Sequence, residues 1–176
     1  MAYDPYKALY LHIPFCVKRC AYCDLATAAV PAGAPEIEAY VEDLSLQIRR
    51  KAKEGELGAV ETVYLGGGTP SLLRPDQAAR LLEEAAPAEG AEITLEANPD
   101  VVTPETLRGF RAAGVTRISF GVQSADDAQL RRLGRTHTAA GAAQALAWAR
   151  EAGFPEICGD IMLALPEYTN AEFDRT

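Results

Sequence analysis

Alternation constrains this chain more than any other feature. Five short apolar runs, at residues 8–14, 60–65, 92–96, 115–122 and 157–165, each lead towards a stretch with helical spacing. Helices are expected from Pro35 to Gly55, from Pro75, from Thr103 and Pro104 to Gly114, after Ser124, and from Thr138 to Gly153. Repeated strand–helix–strand units build a parallel α/β sheet with right-handed crossovers. Residues 167–176 read as a loop and the beginning of a helix, so the chain is expected to be an incomplete barrel truncated after its fifth strand. Its 176 residues suffice for one buried core and one domain, spanning 1–176.

Three of the four cysteines lie within eight residues, Cys16, Cys20 and Cys23, at spacing C-x3-C-x2-C directly after the first strand. Thiolates so close on one loop converge on a soft metal centre, but three are one too few for a closed tetrathiolate site. Either a fourth ligand such as His12 or Asp24 completes a zinc site, or one coordination position stays open. A disulfide with an odd cysteine left over is the remaining alternative. The N-terminus lacks the basic region of a secretion signal and no apolar run is long enough to span a membrane. A cytoplasmic setting is therefore expected, where thiols stay reduced. A formal charge of −8 gives no electrostatic footprint for nucleic acid.

The other unusual residues cluster at the expected C-terminal ends of strands, where parallel α/β folds carry their chemistry. Gly66-Gly67-Gly68-Thr69-Pro70 follows strand two, Glu96 and Asn98-Pro99 end strand three, and Gln123 ends strand four. Asp160 lies within strand five. The glycines suit either a tight turn or close approach of backbone amides to a ligand, and they do not form a P-loop. Glu96 is a ligand contact or a solvated strand end; Arg135 is a carboxylate clamp or a surface charge. Cys158 is expected in the core and Trp148 in helix packing.

The motifs together resemble the radical S-adenosylmethionine (SAM) superfamily, and within it the oxygen-independent coproporphyrinogen III oxidase-like family. The strings are Tyr10-Leu-His-Ile-Pro-Phe-Cys, the cysteine loop with Tyr22 before its last Cys, Gly-Gly-Gly-Thr-Pro-Ser71, Glu96-Ala-Asn-Pro, Gly121-Val-Gln-Ser, Gly134-Arg-Thr-His and Asp160-x4-Leu-Pro166. The resemblance implies a partial (β/α)6 radical SAM barrel. It also implies a [4Fe-4S] cluster on Cys16, Cys20 and Cys23, with the fourth iron left for SAM. Gly67, Gly68 and Thr69 would face the methionyl amino end of SAM, and Glu96 and Arg135 its polar groups. Gln123 and Asp160 would bind the ribose, with Tyr10 and Tyr22 near cluster and adenine. An electron from a donor protein would cleave SAM to methionine and a 5′-deoxyadenosyl radical. Two departures bear on the branch. The oxidase carries a further cysteine where Leu25 stands here, and Ala164 and Tyr168 replace a glycine and a glutamine of the family pattern. Leu25 leans towards the haem-chaperone branch, with haem or porphyrin as ligand and a haem-accepting protein as partner; the alternative is a coproporphyrinogen dehydrogenase or another radical SAM oxidoreductase.

Overall fold

A computed structural model describes residues 4–165 and 168–176. Its main sheet contains β1 (Tyr6–Ile13), β4 (Leu57–Gly67), β5 (Glu92–Ala97), β6 (Arg117–Gln123) and β7 (Glu156–Ile161), adjacent in that order. Every pairing is parallel, as the alternation predicts. The crossovers carry α1 (Pro35–Lys53), α2 (Pro75–Ala85), α3 (Pro104–Ala112) and then α4 (Asp127–Arg132) with α5 (Ala139–Glu151); α6 (Asn170–Arg175) follows β7. A 3-10 turn occupies Pro70–Leu72.

Strand side chains alternate between two faces. Leu11, Ile13, Val63, Leu65, Ile93, Leu95, Ile118 and Phe120 are buried in one core with Ile37, Val41, Leu81, Leu107, Phe110 and Ala145 of the helices. The alternate positions, Tyr10, His12, Tyr64, Glu96, Ser119 and Asp160, are in phase with one another and line the opposite face. The helices thus cover one side, and the other side presents a polar surface rising to the strands' C-terminal ends.

Most element starts follow local chemistry. Thr103 caps α3 by accepting from the Thr106 amide, with Pro104 at the first helical position. Thr138 caps α5 in the same way. Ser124 does not cap α4 as expected; Asp126 does, accepting from the amides of Ala128 and Gln129. The Ser124 hydroxyl instead donates to Gln129 Oε1, 2.7 Å away. Trp148 packs against the core as expected.

Two expectations need correction. Strand five ends at Ile161 rather than running on to 165. A register shift between Gly121 and Gln123, with Gln123 at φ 67°, bends β6, and the Met162 amide makes the last bond to Gln123 O at 3.0 Å. Pro166, expected to stop that strand, lies outside the described residues. Cys158 is also not in the core. It falls in phase with Asp160 on the polar face, half-buried, with Arg117 Nη2 3.2 Å from its sulfur.

Candidate functional site

The cysteine loop is anchored by a ladder too short for periodicity to reveal. β2 (Phe15–Cys16) pairs in parallel with β3 (Ala28–Ala29). Amides of Ala28 and Val30 donate to Pro14 O and Cys16 O at 2.7 and 2.9 Å. His12 adds a second tie. Its Nε2 lies 3.0 Å from Ala26 O, and since a carbonyl only accepts, the proton sits on Nε2. Nδ1 then accepts from the Tyr10 hydroxyl at 3.0 Å. Both ring nitrogens are committed within the protein.

The glycine segment lies directly against this loop. Amides of Gly68 and Thr69 donate to Ile13 O and Phe15 O at 2.9 and 2.7 Å. A Cβ on Gly68 would sit 2.6 Å from Phe15 O and 3.0 Å from Cys16 Sγ, so only a bare backbone passes there. The Thr69 hydroxyl is 3.5 Å from Cys16 Sγ.

One pocket at the strand ends gathers nearly all of the residues singled out from the sequence. Its lining includes Cys16, Cys20, Tyr22, Cys23, Leu25, Gly67, Gly68, Thr69, Glu96, Gln123, Arg135 and Asp160. Tyr10 is not in its lining; its ring is stacked on Tyr64, with centroids 6.1 Å apart. Glu96 is held from both sides, by Tyr64 Oη at 2.8 Å and the Gly67 amide at 2.9 Å. Ser119 Oγ stands 3.2 and 3.3 Å from the two Asp160 oxygens. Arg135 Nη2 donates to Asn98 Oδ1 and Gly121 O, each at 2.7 Å. Its Nη1 lies 3.6 Å from Cys20 Sγ and 3.5 Å from Tyr22 Oη.

Sequence reasoning gave no role to Tyr64, Asn98 or Ser119, which orient Glu96, Arg135 and Asp160. A period-two count back from Gly66, or across from Asp160, would have put Tyr64 and Ser119 on the same face.

The thiol chemistry fits a cluster better than a single ion. All four cysteines are free, which removes the disulfide alternative. Among the described residues no three His, Cys, Asp or Glu side chains converge on one metal ion, and His12 has no nitrogen to give to zinc. Three thiols spaced around one pocket suit a cubane, in which each thiolate holds a different iron. Burial pushes the Cys16 thiol up, opposed in part by the Thr69 hydroxyl. A metal bound at Cys16 would displace the thiol proton. Burial also raises the Tyr22 hydroxyl, with Arg135 opposing it.

Comparison with known proteins bears on the same pocket. Residues 10–176 match the radical SAM superfamily. The chain is 39% identical over 175 residues to a protein named heme chaperone HemW from Haemophilus influenzae, covering 96% of this chain and 46% of the relative. It is 42% identical over 163 residues to the mitochondrial radical S-adenosyl methionine domain-containing protein 1 of Bos taurus, covering 90% and 36%. In solved structures, the coproporphyrinogen III oxidase HemN of Escherichia coli, described as a radical SAM enzyme, superposes with TM-score 0.86 at 30% identity over 98% of this chain and 41% of its own. The chain spans less than half the length of these relatives. Among the described residues no helix is long and apolar enough to cross a membrane.

Proposed function

The chain belongs to the radical SAM superfamily, and from that membership we propose that it is the N-terminal part of a haem chaperone that holds a [4Fe-4S] cluster and SAM. Cys16, Cys20 and Cys23 would hold the cluster, one thiolate short of a closed tetrathiolate site. The observation that carries this reading is their position around one pocket with the glycine backbone and Arg135. When bound, the cluster supplies the electron that reductive cleavage of SAM requires.

The chain's own residues bind and orient SAM. Backbone of Gly67, Gly68 and Thr69 takes the methionyl amino end, Arg135 and Glu96 its polar groups, Gln123 and Asp160 the ribose, and Tyr22 the surroundings of adenine and cluster, while Tyr10, outside the pocket lining, acts on the cysteine loop through His12. Tyr64 and the Gly67 amide fix Glu96 in one orientation, and Ser119 does the same for Asp160. Such fixed placement lowers the reorganisation needed when the ligand binds.

Leu25 favours the chaperone over the oxidase. It is half exposed in the pocket lining, and the resemblance places the oxidase's additional cysteine at this position. The relatives named heme chaperone, at 35–39% identity, support the same branch. Haem, an electron donor and a haem-accepting protein are the partners of this reading, in a cytoplasmic setting that suits four unpaired thiols.

The complete polypeptide, reconstituted anaerobically with iron and sulfide, tests it. Haem binding and transfer to an acceptor are expected, without decarboxylation of coproporphyrinogen. Turnover of coproporphyrinogen together with release of 5′-deoxyadenosine would overturn the chaperone assignment.

A further inference from the structure

We propose that Asn98 is a positioning residue for the iron–sulfur site, aiming the Thr69 hydroxyl at Cys16 and anchoring the Arg135 guanidinium beside Cys20. The inference rests on the reading that Cys16, Cys20 and Cys23 hold a cluster.

Asn98 follows the last residue of β5, and its side-chain amide joins two elements that are distant in sequence. Oδ1 accepts from Arg135 Nη2 at 2.7 Å, and Nδ2 donates to Thr69 Oγ1 at 3.1 Å. The amide cannot be turned round, because its NH2 would then face the guanidinium donor. This orientation dictates what Thr69 does. A hydroxyl has one proton, and having accepted from Asn98 it is left to donate; Cys16 Sγ stands 3.5 Å away. On the other side, Arg135 Nη2 is shared between Asn98 Oδ1 and Gly121 O, which holds Nη1 3.6 Å from Cys20 Sγ.

Gly121 supports the same arrangement independently. A Cβ there would lie 3.2 Å from Arg135 Nη2 and 3.4 Å from Asn98 Oδ1, so the amide and guanidinium meet over bare backbone. One side chain thus presents a neutral donor to one thiolate and a cation to another. Donors and positive charge at cluster sulfurs stabilise the reduced, more negative state and so raise the reduction potential.

The test uses the complete polypeptide reconstituted with iron and sulfide, its midpoint potential read by EPR-monitored redox titration. Asn98→Asp keeps an acceptor for Arg135 but turns the Nδ2 donor into an anionic oxygen, which draws the Thr69 proton away from Cys16. Iron and sulfide content equal to that of the native protein is expected, with a more negative potential. Asn98→Ala, which loosens both donors, shifts it in the same direction. To separate the hydroxyl's part from the added charge, Asn98→Asp is repeated in a Thr69→Val background, where the combined shift is expected to fall short of the sum. An unmoved potential in both single variants, or strictly additive shifts, overturns the role of Asn98 and leaves the cluster reading intact. A native protein that takes up no iron and sulfide overturns the cluster reading, and this inference with it.

Discussion

Ala164 carries a conformation its side chain does not favour. It sits at φ 55°, in the left-handed region, just beyond the end of β7. The family pattern has glycine at this position, and a Cβ in that region costs roughly 1 kcal/mol. Ala164→Gly is therefore expected to stabilise the protein by a few tenths to about 1 kcal/mol, less whatever the greater freedom of glycine in the unfolded chain takes back. Urea unfolding measures it, and a clear loss of stability would contradict the strain. The departure was visible in the sequence, but its cost was not, because no periodicity reports the sign of φ at one residue. The three cysteines were legible for the opposite reason. Their spacing is local, and the chemistry of convergent thiolates needs no tertiary information. The roles of Asn98 and Tyr64 were not legible, because their partners, Arg135 and Glu96, lie 37 and 32 residues away.

Elements dock through a charge cluster as well as through the core. Glu38 on α1 accepts from Arg74 Nη2, Gln77 Nε2 and Arg80 Nη2 at or around the start of α2, at 2.9, 2.7 and 2.7 Å. Hydrogen bonds from Arg80, Arg74 and Gln77, in that order, hold its carboxyl at about 2, well below the usual 4.5. A depressed folded value means that the contribution is complete above the unfolded value and is lost as pH falls from 4.5 towards 2. Glu38→Gln is thus expected to be less stable than the native protein at pH 7, with the gap narrowing through that window. Thermal melts across pH 2.5–7 check it, and a gap that stays constant would contradict it. At this scale most of the fold was readable, since proline and threonine mark helix starts and a period of two marks strands. The end of strand five was misread because a bulge in β6, not the apolar run of β7, decides where pairing stops. The β2–β3 ladder escaped because two residues carry no period.

At the scale of the whole molecule, five parallel strands cover one face with helices and leave the other polar, with the proposed ligand groups other than Tyr10 lining one pocket at the strand ends. That division explains why the alternation of elements located the site before any side chain was placed: residues following parallel strands converge at one edge whatever their separation in sequence. The central claim is that Cys16, Cys20 and Cys23 hold a cluster with one iron open to SAM. The most direct test is EPR of the anaerobically reconstituted, reduced protein with and without SAM, on the native chain, Cys20→Ala and Cys158→Ala. A cluster signal that SAM perturbs is expected in the native protein and in Cys158→Ala, with none in Cys20→Ala. A signal that survives Cys20→Ala, or one that SAM leaves unchanged, would contradict the account.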